Sequence, residues 1–186
     1  MDSDADRKAA VEIDPDREYR ALLRSLRWTE GFGLLFVQCS PAEGVRLVER
    51  VQSDLPQKRI DLLTLTEPIE KLYETVAAFP QIDQLDVLFI QGIEYSLYDY
   101  EKNQIWDETD NRYGYSEKNV SRLLTHLNLS RERFHHHLNV HLVFLVPLFA
   151  LKYLSRRAPD FFDWRSGVLE FPSDLDTLDQ QTTRIF

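Results

Sequence analysis

The chain has 186 residues, 43% hydrophobic and 12% aromatic, which is enough for one domain with a real core and too short for two. Its formal net charge of -9 leaves no overall positive field to attract nucleic acid. The single cysteine, Cys39, excludes an internal disulfide and agrees with a reducing cytoplasm, the compartment we predict. An apolar run at 140–154 is shorter than the roughly 20 residues that a bilayer requires and contains Pro147, which argues against a membrane span.

The first part of the chain predicts a short tail followed by a helix, a strand and a second helix. Residues 1–14 are charged and poor in apolar side chains, so we predict a disordered acidic N-terminus and a single α/β domain over 15–172. Helical spacing of apolar residues after Asp16 predicts the first helix. The apolar run at 32–38 predicts a strand covered on both faces, and a helix over 42–55 follows it. The apolar stripe of that helix is expected to comprise Val45, Val48, Val51 and Leu55.

The same strand and helix pattern then repeats. Residues 59–65 predict a second strand, and residues 67–79 a helix with Pro68 in its first turn, where no N–H is needed. The third strand is expected at 85–91. A polar, irregular segment follows at 92–116, and segments of this length in compact domains usually bind something or move.

The second half of the chain adds two more strands. A long helix is predicted at 117–138, a strand at 140–146, a helix at 148–158 and a last strand at 167–171. Residues 173–186 have weak periodicity and are interpreted as a tail or the start of a truncated following region. Strands that alternate with helices of this size predict a three-layer α/β fold, with a mainly parallel sheet of about five strands and helices on both faces.

The turn after the first strand is where many α/β proteins hold a phosphate. A phosphate-binding loop needs glycines that expose successive N–H groups, a lysine and a hydroxyl. Here the turn "QCSPAEGVRL" keeps only Gly44, carries the repulsive Glu43 and has Arg46 as its nearest cation. Ser40 fits better as the N-cap of an ordinary helix. The sequence therefore predicts no standard nucleotide grip at this turn.

The end of the third strand also lacks the carboxylate that hydrolytic P-loop proteins use for a metal. Gln91 stands at that position. Glu94, beyond a glycine, is interpreted either as a displaced metal contact or, more commonly, as a solvated loop glutamate. We therefore predict no catalytic residues.

Four stretches carry a resemblance to a known family: "RALLRSLRWTEGFGLLFVQCSP", "DVLFIQGIEYSL", "LNLSRERFHHHLNVHLVFLVP" and "LSRRAPDFFDWRSGVLEF". They resemble the AAA-like, STAND-type ATPase-related module that precedes tetratricopeptide repeats in many bacterial proteins. The likeness covers about residues 19–171, and residues 158–168 are its most specific part. It implies a P-loop-NTPase-like fold, often with a degenerate Walker A motif, and a sensor or adaptor role. The departures at 38–44 and at Gln91 argue against nucleotide hydrolysis.

Two other groups of reactive side chains have simpler interpretations. Three consecutive histidines point in three directions around a helix, so we predict a polar helix face and no metal site. The histidines concerned are His126, His135, His136, His137 and His141. Cys39 is interpreted as a small buried residue.

In the segment 158–168, Asp160 is expected to cap a short helix, and two of its three large aromatic residues are expected to pack in the core. Arg165 could face the cleft above the strand ends, or it could pair with Asp163 or Asp160, which we favour.

The irregular segment is the predicted partner surface. Tyrosine and tryptophan are enriched in protein contacts, and an acidic, aromatic segment suits a basic protein. The alternative is a loop folded back on its own domain. The predicted partner-binding residues are Tyr95, Tyr98, Tyr100, Trp106, Tyr113 and Tyr115.

Two functions follow from the sequence. The first is a noncatalytic, P-loop-like interaction or sensor module that binds a protein partner, without cofactor, metal, nucleic acid or membrane, and with self-association as a further option. The alternative is a divergent nucleotide-binding protein or NTPase that holds ATP or GTP with Mg²⁺. Its cofactor-binding residues would be Ser40, Gly44, Arg46, Glu94 and Arg165.

Overall fold

A computed structural model of the chain describes residues 13–98 and 121–171. Within these ranges five strands form one parallel sheet: β1 (Gly33–Gln38), β2 (Ile60–Thr64), β3 (Val87–Gln91), β4 (His141–Val146) and β5 (Gly167–Glu170). The helices whose two ends both lie in these ranges are α1 (Pro15–Trp28), α2 (Pro41–Asp54), α3 (Leu72–Ala77), α4 (Arg122–His137), α5 (Leu148–Arg157) and α6 (Pro159–Phe162), with a 3-10 turn at Ile82–Gln84.

The strand order is β2-β3-β4-β1-β5, with β1 hydrogen-bonded to both β4 and β5. In this register Phe36 lies opposite Phe144 on one side and Val168 on the other. All neighbouring pairs are parallel, so the carboxyl ends of the strands share one edge of the sheet. The predicted architecture is confirmed: the domain is a three-layer α/β fold with a parallel five-stranded sheet and helices on both faces.

Each face of the sheet buries its own core, because successive side chains of a strand point to opposite faces. On one face α1 and α2 cover Leu35, Val37 and Val143. On the other face α3, α4, α5 and α6 cover Leu34, Phe36 and Phe144. The second core is rich in aromatic contacts, with ring centroids of Phe36 and Phe144 5.2 Å apart. The buried Phe161 and Phe162 confirm that two aromatic residues of the segment 158–168 pack in the core.

The apolar stripe of α2 differs from the prediction. The buried residues are Gly44, Leu47, Val48 and Val51, whereas Val45 is 38% exposed. The reason is the close approach at Gly44, where a Cβ would lie 3.1 Å from Leu145 Cδ1. A helix that turns Gly44 toward the sheet also buries positions three, four and seven residues later, and this rotation leaves Val45 at the surface.

The helix predicted at 67–79 is wrong in its first half, and Pro68 does not lie in its first turn, because α3 begins only at Leu72. The preceding segment is bonded to other parts of the chain: the N–H of Ile69 donates to Ser96 Oγ at 2.9 Å. The first turn of α3 is bonded similarly, since the N–H of Tyr73 donates to His126 Nε2 at 3.2 Å. These distant partners leave no local pattern in the sequence.

Other boundaries differ less. Residues 95–98, expected to be irregular, are helical. The helix predicted from residue 117 begins at Arg122 in the described part. Asp160 does not cap α6, because that helix starts at Pro159 with Ala158 at the N-cap position. The predictions for residues 1–12, 99–120 and 172–186 lie outside the described residues.

Candidate functional site

A pocket opens at the carboxyl edge of the sheet, at its topological switch point. The helix after β1 crosses one face, whereas the helices after β4 cross the other face, and this divergence opens a crevice between the ends of β1 and β4. A cavity of about 80 Å³ lies there. We call it the carboxyl-end pocket; it is lined by Cys39, Ser40, Pro41, Thr64, Leu65, Thr66, Gln91, Gly92, Glu94, Tyr95, Leu145 and Pro147.

The start of α2 forms one wall of this pocket and offers little to an anion. Ser40 is the N-cap, as predicted, and its Oγ accepts the N–H of Glu43 at 3.3 Å. Pro41 carries no N–H, and the N–H of Gly44 donates to the carbonyl oxygen of Ser40 at 2.9 Å. In the first turn of α2, at most the N–H of Ala42 remains for a bound phosphate.

Gly44 and Cys39 lie under this helix start and have packing roles. A Cβ on Gly44 would lie 3.5 Å from Cys39 Sγ, so the glycine permits close contact between helix and sheet. Burial raises the pKa of the Cys39 thiol to about 12, with a further contribution from Glu43 and Glu94. The thiol is therefore protonated near neutral pH and is a poor nucleophile. The predicted buried position of Cys39 is confirmed.

Glu94 is buried, so its interpretation as a solvated loop glutamate is wrong. Its exposed fraction is 6%, and Oε2 has no hydrogen-bond partner among the described residues. Burial raises the pKa of the carboxyl group, partly offset by backbone N–H groups of Glu94 and Gly92. The cause of the burial is Gly92, whose φ of +89° turns the chain back over the sheet. A side chain there would collide with the carbonyl oxygen of Leu65.

Gln91 adds a second buried acceptor at the end of β3. Its Oε1 has no hydrogen-bond partner in the described ranges, and it lies 3.6 Å from where a Cβ on Gly44 would stand. Gln91 and Glu94 both line this pocket, and each has one oxygen atom that is unpartnered among the described residues.

The two arginines of the nucleotide alternative lie away from this pocket. Arg46, on the exposed face of α2, pairs with Glu43 at 2.7 Å and lines a different cavity with Arg50 and Phe171. Arg165 precedes β5 and therefore lies at the amino edge of the sheet, so the alternative in which it faces the cleft is wrong. The favoured pairing with Asp163 is present, at 3.5 Å. The structure brings together Ser40, Gly44 and Glu94, but neither arginine.

Exposed aromatic residues lie beside the pocket. Tyr95 and Tyr98 are 43% and 41% exposed, and their ring centroids are 6.0 Å apart. Tyr98 stacks on Phe149 with ring centroids 5.5 Å apart, and the neighbouring Leu148 is 47% exposed. We call Tyr95, Tyr98, Leu148 and Phe149 the aromatic surface. The other predicted partner residues, Tyr100, Trp106, Tyr113 and Tyr115, lie outside the described residues.

Sequence reasoning missed the contribution of α5 to this surface. Leu148 and Phe149 were expected only as parts of a helix. The available signal was Pro147, which directly follows β4 and therefore places the start of α5 at the carboxyl edge, next to the segment that follows β3.

The histidines do not form a metal centre in the described parts of the chain, where no group of three or more His, Cys, Asp or Glu side chains could hold an ion. His135, His136 and His137 are exposed at the end of α4, whereas His141 is buried at the start of β4. None of the helices in the described ranges is long and apolar enough to cross a membrane.

Comparison with known proteins gives one distant structural likeness. No family model and no curated protein matches the chain. Among solved structures, it is similar to the Aeropyrum pernix ORC2 protein in its ADP form, with 12% identity and a TM-score of 0.38. The likeness covers 91% of this chain and 50% of that chain. The fold assignment accordingly depends on the strand order and register described above.

Proposed function

We propose that this chain is a noncatalytic, P-loop-like interaction module of the cytoplasm, an adaptor or sensor that binds a protein partner through the aromatic surface. The observation that carries the proposal is the exposure of Tyr95 and Tyr98 at the carboxyl edge, beside a pocket of only about 80 Å³. Pockets for small molecules have volumes of about 300–1,000 Å³. Open α/β sheets bind ligands at their carboxyl edge. In this chain that edge presents an exposed aromatic surface rather than a pocket large enough for a small molecule.

The chemistry of the pocket supports the same conclusion. A triphosphate needs several free N–H groups and a cation that reaches its terminal oxygens. Ser40 Oγ already takes the N–H of Glu43, and Arg46 points to another cavity. The buried carboxyl group of Glu94 would also repel a nucleotide if it were ionised. These features disfavour ATP or GTP as a ligand.

The composition of the surface indicates the kind of partner. Tyrosine and other aromatic residues are frequent binding hot spots because they bury large areas at low entropic cost. The sequence from 93 to 115 carries six acidic and two basic residues, and the whole chain has a net charge of -9. A basic protein surface is therefore the expected partner. The resemblance to STAND-type, AAA-like modules that precede tetratricopeptide repeats in bacterial proteins supports the adaptor role.

The first test compares two sets of exposed aromatic residues. The chain and its Tyr95→Ser/Tyr98→Ser variant are used to capture partners from the native cell, and the captured protein is then purified for affinity measurement. We expect the double variant to bind it at least about tenfold more weakly, since each hot-spot aromatic contributes more than about 1 kcal/mol. Trp28→Ser is the matched control, because Trp28 is 79% exposed at the end of α1. Equal loss in both variants would contradict the proposal.

The second test addresses the nucleotide alternative. Thermal melting and phosphate release are measured with ATP or GTP plus Mg²⁺. Binding at one hundred times the dissociation constant would add about 2.7 kcal/mol to the free energy of unfolding. We expect neither stabilisation nor turnover. If a nucleotide stabilises the chain and Arg46→Ala abolishes that stabilisation, the proposed interaction module is wrong and the chain is a divergent nucleotide-binding protein.

A further inference from the structure

The carboxyl-end pocket is lined by an acid, one oxygen of which lacks a hydrogen-bond donor among the described residues. Glu94 is 6% exposed, lines the pocket, and its Oε2 has no partner in the described parts of the chain. The second unpartnered oxygen, Gln91 Oε1, is likewise an acceptor. A buried acceptor without a partner is costly, and a group that supplies N–H donors would remove that cost.

The walls of the pocket suit a narrow apolar stem. Leu65, Leu145 and Pro147 contribute apolar surface, and Tyr95 stands at the rim, 43% exposed. A volume of about 80 Å³ corresponds to two or three water molecules at about 30 Å³ each. Such a space accommodates the end of one unbranched side chain, and long cationic side chains commonly lay their methylene groups on apolar surface while the charged end finds a polar partner.

The geometry points to a lysine side chain of the protein partner as the occupant of this pocket, with its ammonium group donating to Glu94. This inference rests on the proposed function, since Tyr95 belongs to both the pocket and the aromatic surface. The negative charge of the chain favours the basic partner that would supply the lysine.

Lysine fits this site better than two other cations. Arginine is recognised best by two parallel acceptors in the plane of its guanidinium group. Within the described ranges Glu94 has only one unpartnered oxygen, which suits the compact charge of a lysine ammonium group. Magnesium requires nearly octahedral oxygen ligands, usually with more than one carboxylate or a phosphate. Among the described residues, no group of three or more His, Cys, Asp or Glu side chains could hold a metal ion.

Binding should also change the ionisation of the acid. Burial raises the pKa of Glu94, and a neighbouring ammonium group favours the ionised form. The lysine would therefore lower this pKa, and the carboxylate would in turn strengthen the hydrogen bond because both groups are charged.

The experiment uses the 186-residue chain and Nα-acetyl-lysine-N-methylamide as the probe, followed by NMR at pH 7. We expect saturable shifts at the backbone amides of Ser40, Thr66 and Glu94. Glu94→Gln should weaken binding about tenfold, as expected for loss of a hydrogen bond to a charged group. Glu67→Gln, which removes the same charge from an exposed neighbour of Thr66, should change the affinity less than about twofold.

A measurement on the unmutated chain keeps the test decisive if Glu94→Gln does not fold. With ¹³C-labelled glutamate, saturating probe should lower the pKa of Glu94, and the norleucine analogue of the probe should leave it unchanged. Absence of saturable shifts, equal binding of the norleucine analogue, or displacement of the probe by MgCl₂ would each overturn the inference. Tighter binding of spermidine than of the probe would also overturn it, in favour of a free polyamine.

The two proposals fail separately. If the probe does not bind but Tyr95→Ser/Tyr98→Ser still loses the captured partner, the lysine site is wrong and the interaction module stands. If the tyrosine variant keeps its affinity for the partner, the proposed function fails, whatever the probe shows.

Discussion

The two edges of the sheet bury comparable polar groups and use them differently. At the carboxyl edge Glu94 is buried and lines a pocket that the exposed Tyr95 also lines. At the amino edge His141 is buried to 2% exposure, and both of its ring nitrogens lack partners among the described residues. One edge therefore has a buried acid that lines a pocket, whereas the other has a buried base.

The loops of the amino edge are closed by hydrogen bonds to the chain itself. The N–H of Arg59 donates to Asp86 Oδ2 at 2.7 Å, and the N–H of Ser166 donates to the carbonyl oxygen of Leu34 at 2.7 Å. Arg165 donates to the carbonyl oxygen of Phe162 at 2.9 Å and stacks over its ring. Polar groups at this edge stabilise the connections between strands, whereas open α/β sheets generally bind ligands at the carboxyl edge.

The largest expected effect is a loss of stability when Gly92, which sets the path of the chain at the carboxyl edge, is replaced. Gly92→Ala should lower the free energy of unfolding by about 3 kcal/mol, because the backbone is left-handed there and the new Cβ would strike the carbonyl oxygen of Leu65. Urea denaturation provides the measurement. Gly167→Ala is the matched control, since its Cβ would lie at an ordinary 3.6 Å from Leu35 Cδ1. A similar loss in both variants would show that Gly92 has no special role.

The next effect tests the enclosed base at the amino edge. Burial, assisted by the charge of Lys58, lowers the pKa of His141 from 6.5 to about 4. The unfolded chain therefore binds a proton that the folded chain does not, and stability is lost as pH falls from about 6.5 to about 4. At about 1.4 kcal/mol per pH unit, the loss is about 3 kcal/mol.

His141→Leu should remove that part of the acid destabilisation. The measurement is urea denaturation at pH 7 and pH 4.5 for the chain and the variant, and the difference between them cancels the other titrating groups. An identical pH dependence in both proteins would show that His141 is accessible to protons in the folded state.

The sequence predicted the sheet well because its strands are apolar on both faces and each is followed by a turn signal. Ser40 illustrates the same point locally, since its capping role depends only on the residues next to it. The cleft position, the less favoured alternative for Arg165, is wrong for a different reason. A residue just before a parallel strand lies at the amino edge, and this follows from strand direction, which local pattern does not give.

The candidate site was less predictable because it depends on contacts between distant segments. Glu94 resembles any polar loop residue in the sequence, and its burial results from the path that Gly92 imposes over Leu65. Leu148 and Phe149 resemble ordinary helix residues until the sheet order brings them beside Tyr98. The positions of these residues depend on the order of the strands in the sheet, and composition and periodicity do not fix that order.

The smallest expected effect is the pH dependence of stability due to Glu94, whose sign is opposite to that due to His141. Burial raises the pKa of Glu94, so the folded chain holds a proton that the unfolded chain releases above its ordinary pKa of 4.5. This contribution to stability is complete below that pKa and is lost as pH rises through the raised value, opposite to that of His141. Glu94→Gln should therefore gain stability relative to the unmutated chain between pH 4.5 and pH 7, as measured by urea denaturation at the two pH values. The gain should be smaller than the effect of His141→Leu, because backbone N–H groups already stabilise the carboxylate. A relative loss of stability with rising pH would mean that Glu94 is ionised and paired in the folded chain, which would leave the carboxyl edge without an acid available to a ligand.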